Sequence, residues 1–284
     1  MEETIVVTCA AGNVGSEISK RLKESGVSFT TVDIENVREM LEKEYNFECL
    51  NFEDPKTYED IFTDRTKKMF LNRPPHMIKF KDSIFPTIDY AINHGVKHII
   101  FLSMIGVNKR IPHFKIERYL KESGINYTFL RCSFFMQNLS NAHREIIKKD
   151  NDLLIPAGKG KISYIDVRDV AEIAAKILID SSGTHYNKIY NLTGKEVLDF
   201  YEVASLMTEI LGRKITYSKP SRRKFTKEMR QYGFPKGFIK VMKMIYFIVR
   251  LGKADTIYND AEELLERSPL TMEQYIKDYA ECWK

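Results

Sequence analysis

The sequence predicts an α/β fold, a doubly wound parallel sheet with helices on both faces, and a smaller, mostly helical C-terminal part. Short apolar, β-branched runs alternate with helical stripes through the first half of the chain. Such alternation favours right-handed crossovers and therefore parallel strands. The 284 residues, 43% hydrophobic and 29% charged, can bury a large core and a smaller appended one.

The first β-α-β unit is predicted within the first 33 residues. Residues 5–7 (IVV) form the first expected strand, and Val14, Ile18 and Leu22 then recur on one helical stripe. Gly26 is placed to end that helix, and the β-rich residues 27–32 lead to Asp33 at the end of a second strand.

The same alternation predicts the remaining elements. Further strands are expected at residues 47–50, 69–71, 98–102 and 127–130, with helices at 84–92 and 116–120 between them. Later helices are expected at 170–178, at 199–211 and from 271, the last two opened by capping boxes at Asp199 and Thr271. The predicted division is residues 1–155 and residues 156–284, the second part packing on the first.

Composition excludes several classes of function. Lys and Arg alternate with Asp and Glu, so the net charge of +5 predicts no nucleic-acid partner. The four cysteines are far apart, which predicts no metal site and reduced thiols in a cytoplasm. Residues 238–251 are too short and too charged to span a bilayer, so we expect an amphipathic helix on the core or on a partner subunit, and no membrane partner.

The turn after the first strand is predicted to hold a dinucleotide. Gly12 and Gly15 open the following helix, where backbone N–H groups and the helix dipole attract a pyrophosphate. The usual first glycine of this Rossmann-type loop falls at Cys9, where a side chain is costly at positive φ. Asp33 would accept hydrogen bonds from ribose hydroxyls and repel a 2′-phosphate, which favours NAD(H), although Arg38 nearby could soften that preference.

Longer strings resemble the NmrA-like family, atypical members of the short-chain dehydrogenase/reductase superfamily, over nearly the whole chain. Residues 8–15 (TCAAGNVG) are similar to the family's T-G-A-T-G-x-x-G loop, and residues 70–76 (FLNRPPH) to its F-L-x-x-P-P-H turn. The other similar segments are residues 101–106 (FLSMIG), 127–138 (YTFLRCSFFMQN), 166–171 (DVRDVA) and 191–194 (NLTG).

The resemblance implies a Rossmann domain that binds NAD(P), a C-terminal substrate part and site residues for each. Cys9, Ala11, Gly12, Asn13, Val14 and Gly15 would form the pyrophosphate loop, and Asp33 would face the ribose. Asn51 and Phe52 would flank adenine, Asn72, Arg73 and Pro74 the middle of the cofactor, and Ser103 and Met104 the nicotinamide. His76, Phe134, Phe135 and Asn138 would line the substrate side.

The catalytic pair of ordinary short-chain dehydrogenases is incomplete. Lys115 stands where the family's lysine would be, but Ile111 replaces the tyrosine; Tyr232 and Lys236 have the right spacing, yet Gly233 and Pro235 prevent a shared helix. His113 and His76 remain candidate proton donors because histidine titrates near neutrality.

Two functions are compatible with these features, whereas a third, an epimerase or dehydratase of nucleotide sugars, fits less well because such relatives normally retain the tyrosine. A missing tyrosine suits hydride transfer from NAD(H), or alternatively NADP(H), to a small electrophile such as a quinone, imine or azo compound. The alternative is a non-catalytic redox sensor that binds a protein partner. For that sensor, the contact patch would be residues 221–224 (SRRK) and Lys227. The simpler interpretation of these residues is a solvated loop. Assembly as a homo-oligomer stays open.

Overall fold

A parallel sheet organises the first half of the chain. The computed structural model describes residues 3–74, 77, 80–109 and 111–284. Its strands are β1 (Thr4–Thr8), β2 (Phe29–Asp33), β3 (Phe47–Cys49), β4 (Thr66–Leu71), β5 (His98–Met104), β6 (Asn126–Cys132) and β7 (Lys188–Leu192). They form one sheet in the order β3-β2-β1-β4-β5-β6-β7, and every neighbouring pair is parallel. This confirms the predicted Rossmann-type fold and places the reversal of strand order between β1 and β4.

The helices alternate with these strands and then dominate the second half. Their bounds are α1 (Asn13–Glu24), α2 (Arg38–Leu41), α3 (Ile84–Asn93), α4 (Pro112–Glu122), α5 (Arg144–Asp150), α6 (Val167–Ile179), α7 (Phe200–Leu211), α8 (Arg222–Gln231), α9 (Lys236–Arg250), α10 (Asp260–Leu265) and α11 (Met272–Tyr279). No helix within the described residues is both long enough and apolar enough to cross a bilayer.

The chain divides into two compact units. The sheet unit comprises residues up to Cys132 together with Val167–Leu192, and the helical unit comprises Ser133–Asp166 and Thr193–Lys284. The division differs from a single cut after Ile155, because β7 pairs with β6 and α6 packs on α1 and the central strands. The chain therefore leaves the sheet unit after Cys132 and rejoins it at Val167, where α6 begins.

The core of the sheet unit follows from the apolar patterns. Val6 and Val7 in β1 are fully buried, as expected for a parallel strand covered on both faces. In α1 the stripe Val14, Ile18 and Leu22 is buried as predicted, and the helix ends one residue before Ser25.

In the helical unit, the two predicted capping boxes differ. Asp199 accepts from the amides of Tyr201 and Glu202, and Glu202 returns a bond to the Asp199 amide, so this box is complete. Thr271 accepts from the Gln274 amide, but the Gln274 side chain donates to Asp278 instead of returning to Thr271. The second prediction is therefore only half right, since a better acceptor one turn away takes the amide.

The region around α8 and α9 corrects one interpretation and extends another. Residues 222–224 are not a loop: Ser221 caps α8 by accepting from the Lys224 amide, and the basic residues form its first turn. The predicted amphipathic helix is α9, which buries Ile239, Met242, Tyr246 and Val249 in the core of the helical unit. Its opposite side carries exposed apolar residues that the sequence analysis did not anticipate.

Candidate functional site

The turn between β1 and α1 is folded tightly against its own helix. Cys9 has φ 52°, a left-handed conformation that glycine adopts more easily than any other residue. This explains why a glycine is usual at this position. A Cβ atom at Gly15 would lie 2.3 Å from the Cys9 carbonyl oxygen, and one at Gly12 would lie 3.1 Å from it. Gly15 is therefore needed for the turn to close, whereas Gly12 has slightly more room.

The N-terminus of α1 can receive an anion. Gly12 is the N-cap residue and has no side chain to cap the helix, and the first turn contains no acidic residue. The amides of Val14 and Gly15 have no acceptor among the described residues and lie at the positive end of a 12-residue helix. The Val14 side chain is buried, so only its backbone can face a ligand. The loop fits a pyrophosphate group.

Asp33, at the end of β2, is fixed beside this loop. Its Oδ2 accepts from the Ala11 amide at 3.0 Å, and its Oδ1 accepts from the Ile34 amide at 2.8 Å. A carboxylate has about four acceptor positions, so two backbone bonds leave capacity for ribose hydroxyls. The predicted loop and the predicted acid are thus brought together by a direct hydrogen bond.

Arg38, the base that could have softened a preference for NAD(H), is occupied. Its Nε donates to Glu35 at 2.6 Å, its Nη1 contacts Glu42, and its guanidinium lies 4.8 Å from the centre of the Phe47 ring. Two carboxylates and an aromatic face hold the side chain on its own segment of the surface. A 2′-phosphate would have to compete with both carboxylates for this cation.

Cys9 also joins the turn to the end of β4. Its Sγ donates to the Asn72 carbonyl at 3.4 Å, and the Asn72 amide donates to Thr8 Oγ1 at 2.9 Å. Burial, together with the nearby Asp33 charge, raises the pKa of the Cys9 thiol to about 12. The thiol is therefore neutral near pH 7 and is a packing group here, not a nucleophile.

Arg73 and His113 lie close enough to influence each other. The Arg73 Nη1 donates to the carbonyls of Pro74 and Met77, at 2.9 Å each. Burial first, and then the Arg73 charge, lowers the pKa of His113 to about 4. The imidazole, 5.8 Å from the centre of the Phe101 ring, is thus neutral near pH 7 and holds no surplus proton to donate.

Ser103 is engaged by a buried charge pair. Its hydroxyl donates to Glu117 Oε1 at 2.6 Å, and Arg131 donates to both oxygens of the same carboxylate, at 3.0 Å from Nε and 2.6 Å from Nη2. Glu117 is only 3% exposed. Because the serine proton points to Glu117, Ser103 can offer a lone pair to a ligand but cannot pass that proton on.

Glu117 and Arg131 are site residues that were not predicted from the sequence. Glu117 follows Ile116 on the buried stripe of α4, and Arg131 follows directly on the apolar run of β6. A charged residue continuing an apolar stripe on each of two neighbouring elements is a pattern that could have predicted a buried pair.

Neither Ile111 nor Tyr232 supplies the missing proton donor. Ile111 is the N-cap of this helix, and Lys115 is half-buried on its second turn, without a hydrogen bond or ion pair to any residue that the structure describes. Tyr232 lies at the end of α8 and donates to Asp150, while Lys236 begins α9, so this pair does not share a helix.

The other predicted residues are distributed between both units. Asn51 is exposed and its Oδ1 accepts from the Glu53 amide, whereas Phe52 is packed in the core, so little of its ring can reach a ligand. Met104 is the last residue of β5. Within the helical unit, Phe134, Phe135 and Asn138 are half-buried around a bridge between Phe135 and Ile165. His76 lies outside the described residues.

Comparison with known proteins identifies the family. The model of the NmrA-like family matches residues 86–276. The chain belongs to this family. The predicted resemblance is therefore confirmed, and the family match begins within α3 and ends within α11.

Its relatives include named reductases. The chain is 25% identical over 290 residues to agroclavine dehydrogenase of Claviceps fusiformis, with 99% of this chain and 98% of that protein covered. It is 26% identical over 287 residues to NAD(P)H azoreductase of Xenophilus azovorans, with 97% and 98% covered.

Solved structures share the fold. Triphenylmethane reductase of Citrobacter sp., complexed with NADP(H), has a TM-score of 0.84 at 21% identity and covers 98% of this chain and 99% of its own. The negative transcriptional regulator NmrA, in complex with NADP, has a TM-score of 0.77 at 16% identity, with 98% and 95% covered.

Proposed function

We propose that this NmrA-like protein is an NAD(P)H-dependent oxidoreductase that transfers hydride to a small electrophilic acceptor, of the quinone, imine or azo class. Full-length similarity to a dehydrogenase and an azoreductase supports redox chemistry. The glycine-lined turn, the uncapped N-terminus of α1 and the fixed Asp33 carboxylate support a bound dinucleotide.

The bond from Ser103 to Glu117 carries the assignment of the acceptor class. A ketone needs a proton delivered to its oxygen as hydride arrives, whereas an already electrophilic acceptor needs less acid catalysis. In this chain the serine proton is committed, His113 is neutral near pH 7, and isoleucine stands in place of the tyrosine.

Each residue has a defined role in this proposal. Bound NAD(P)H would supply the hydride. The amides of the first turn of α1 would hold its pyrophosphate, and Asp33 would accept from the adenosine ribose. A lone pair of Ser103 would orient the carboxamide end, and Lys115 would donate a hydrogen bond to the reduced acceptor. Phe134, Phe135 and Asn138 would contact the substrate.

We further propose a preference for NAD(H). Asp33 would repel a 2′-phosphate, and Arg38 is held by Glu35 and Glu42. Substituting Asp33→Asn keeps one oxygen acceptor for the Ala11 amide but removes the charge. It should shift the NADPH-to-NADH affinity ratio by about ten-fold or more toward NADPH, a change of about 1.4 kcal/mol. Glu48→Gln, which removes a carboxylate from β3, is the control and should leave that ratio unchanged.

The deciding experiment combines binding and turnover. Calorimetric titration with NAD⁺, NADH, NADP⁺ and NADPH measures affinity, and the loss of absorbance at 340 nm measures oxidation with an azo dye, a triphenylmethane dye and a quinone. Saturable oxidation with any of these acceptors is the expected result. Tight binding without oxidation by any of them would contradict the proposed activity.

A redox sensor is the second candidate function. The fold shared with the transcriptional regulator NmrA and the lack of a proton-donating tyrosine favour it. A sensor should bind one oxidation state of the dinucleotide much more tightly than the other and should show no turnover, so the same titrations distinguish the two functions. A cytoplasmic location and assembly as a homo-oligomer remain predictions from the sequence.

A further inference from the structure

The outward side of α9 carries four exposed apolar side chains around one exposed lysine, Lys240. Val241, Met244, Phe247 and Leu251 are 46%, 51%, 41% and 52% exposed, and their spacing of three, three and four residues places them on one side of the helix. An exposed helix side is normally polar, because water solvates it at no cost. Since α9 already buries its opposite side, the folding of this unit does not explain the exposed strip.

The segment that surrounds this strip is strongly basic. Residues 219–253 contain eleven Lys and Arg residues and a single acid, Glu228. The rest of the chain contains 33 Lys and Arg against 38 Asp and Glu, so this segment alone makes the protein cationic. Basic residues that were interpreted as evenly interleaved are therefore concentrated in one place.

The acidic residues that the structure describes do not pair with these positive charges. On α8, Arg222, Arg223, Lys224, Lys227 and Arg230 are all exposed. None of the segment's eleven cations forms an ion pair with a residue that the structure describes, whereas pairs such as Lys149 with Glu145 occur elsewhere on the surface.

The basic helix borders the apolar strip directly. The guanidinium of Arg222 lies 4.8 Å from the centre of the Phe247 ring, and its Nη2 donates to the Lys243 carbonyl at 3.4 Å. Lys240 and Arg250 add exposed charges on α9 itself. We call the strip Val241, Met244, Phe247 and Leu251 with these flanking cations the basic–apolar face.

We propose, in place of the sequence-based expectation of no membrane partner, that the basic–apolar face binds the surface of an anionic lipid bilayer. A helix in the plane of the interface places apolar side chains at the boundary of headgroups and acyl chains, while Lys and Arg reach lipid phosphates and carboxylates. With 15 residues, α9 would present about 22 Å of length to that plane. A second copy of this chain fits less well, because its own cations would meet these.

Sedimentation of the full-length protein with vesicles tests this proposal. We expect binding to phosphatidylcholine vesicles that contain 30% phosphatidylserine, little binding to phosphatidylcholine alone, and weaker binding as salt rises. Met244→Glu should abolish binding. The matched control is Met40→Glu, which adds the same charge at a methionine that is 54% exposed in the sheet unit and should not change binding.

A charge variant tests the contribution of the cations and leaves the apolar strip unchanged. Lys224→Gln with Lys227→Gln should weaken binding about 25-fold, since each cation near the surface contributes roughly five-fold. Lys20→Gln with Lys56→Gln, exposed in the sheet unit, is the control. Circular dichroism shows whether each variant is folded.

Three results would overturn the proposal. They are no binding of the wild type to phosphatidylserine vesicles, equal loss in the Met244 and Met40 variants, or a dimer in light scattering that Met244→Glu converts to a monomer. The last would assign the face to a second copy of the chain. The proposal does not depend on the proposed redox function, and dinucleotide binding by Met244→Glu should be normal.

Discussion

The closure of the β1–α1 turn on Gly15 predicts a large effect from one methyl group. In Gly15→Ala the Cβ would lie 2.3 Å from the Cys9 oxygen and 2.9 Å from the Ala10 Cα. Atoms in ordinary contact are more than 3.4 Å apart, so the turn must move by about 1 Å. Overpacking of this kind costs about 1–3 kcal/mol. At about 2–4 °C for each kcal/mol, the melting temperature should fall by roughly 2–12 °C.

The same displacement should weaken cofactor binding. If the amides at the start of α1 hold the pyrophosphate, moving the turn should raise the dissociation constant for NADH at least ten-fold, which calorimetry measures. Gly12→Ala, with its Cβ 3.1 Å from the Cys9 oxygen, should have a smaller effect on both quantities. Gly237→Ala in α9 meets nothing within 4 Å and should stabilise the protein slightly.

One pattern of results would contradict the closure of the β1–α1 turn on Gly15. If Gly15→Ala melts within 1 °C of the wild type and binds NADH equally well, the turn is not closed on Gly15 as described. A loss of stability with unchanged affinity would instead preserve the packing argument and reject the pyrophosphate site.

Three further predictions concern buried groups. Glu117→Gln should lower the free energy of unfolding by about 2 kcal/mol, since the half-buried Arg131 guanidinium loses its charged partner. Glu122→Gln, in an exposed pair, should cost less than about 1 kcal/mol, and urea titration measures both. Burial lowers the pKa of His98 and of His143 from 6.5 to about 4. As the pH drops, these histidines are protonated in the unfolded chain before they are protonated in the folded protein. The free energy of unfolding should therefore fall by up to ~3 kcal/mol for each histidine between pH 7 and pH 4. Urea unfolding at each pH should show that decline; a flat profile contradicts it. Cys9→Gly should tighten NADH binding, because glycine adopts φ 52° without strain, and an unchanged affinity would mean that this position is remote from phosphate.

The fold was predictable because it depends on patterns that are local in sequence. Residues 5–7, the stripe through Val14, Ile18 and Leu22, and the capping box at Asp199 all specify their elements within a few residues. Even the left-handed backbone at Cys9 followed from the position of a missing glycine in the loop. In each case the physical cause lies within one turn or one strand.

The division of the chain and the partners of the charged residues were not local. Strand β7 and helix α6 return to the sheet from beyond residue 155, and Glu117 meets Ser103 and Arg131 only because α4 packs against β5 and β6. The apolar stripes around Glu117 and Arg131 indicate that both side chains are at least partly buried, but their hydrogen bonds to each other and to Ser103 join residues 14 apart and are set by packing.

The sequence by itself therefore determined the parallel sheet, its order of elements and the glycine turn that follows β1, because periodicity and backbone freedom act over short distances. The binding of a dinucleotide by that turn and by Asp33 stays a prediction. Only the tertiary structure decided that the Ser103 proton is committed to Glu117, that Arg38 is held by two carboxylates, and that α9 shows an apolar side. Those properties depend on which surfaces remain uncovered and which charges meet after the elements have packed.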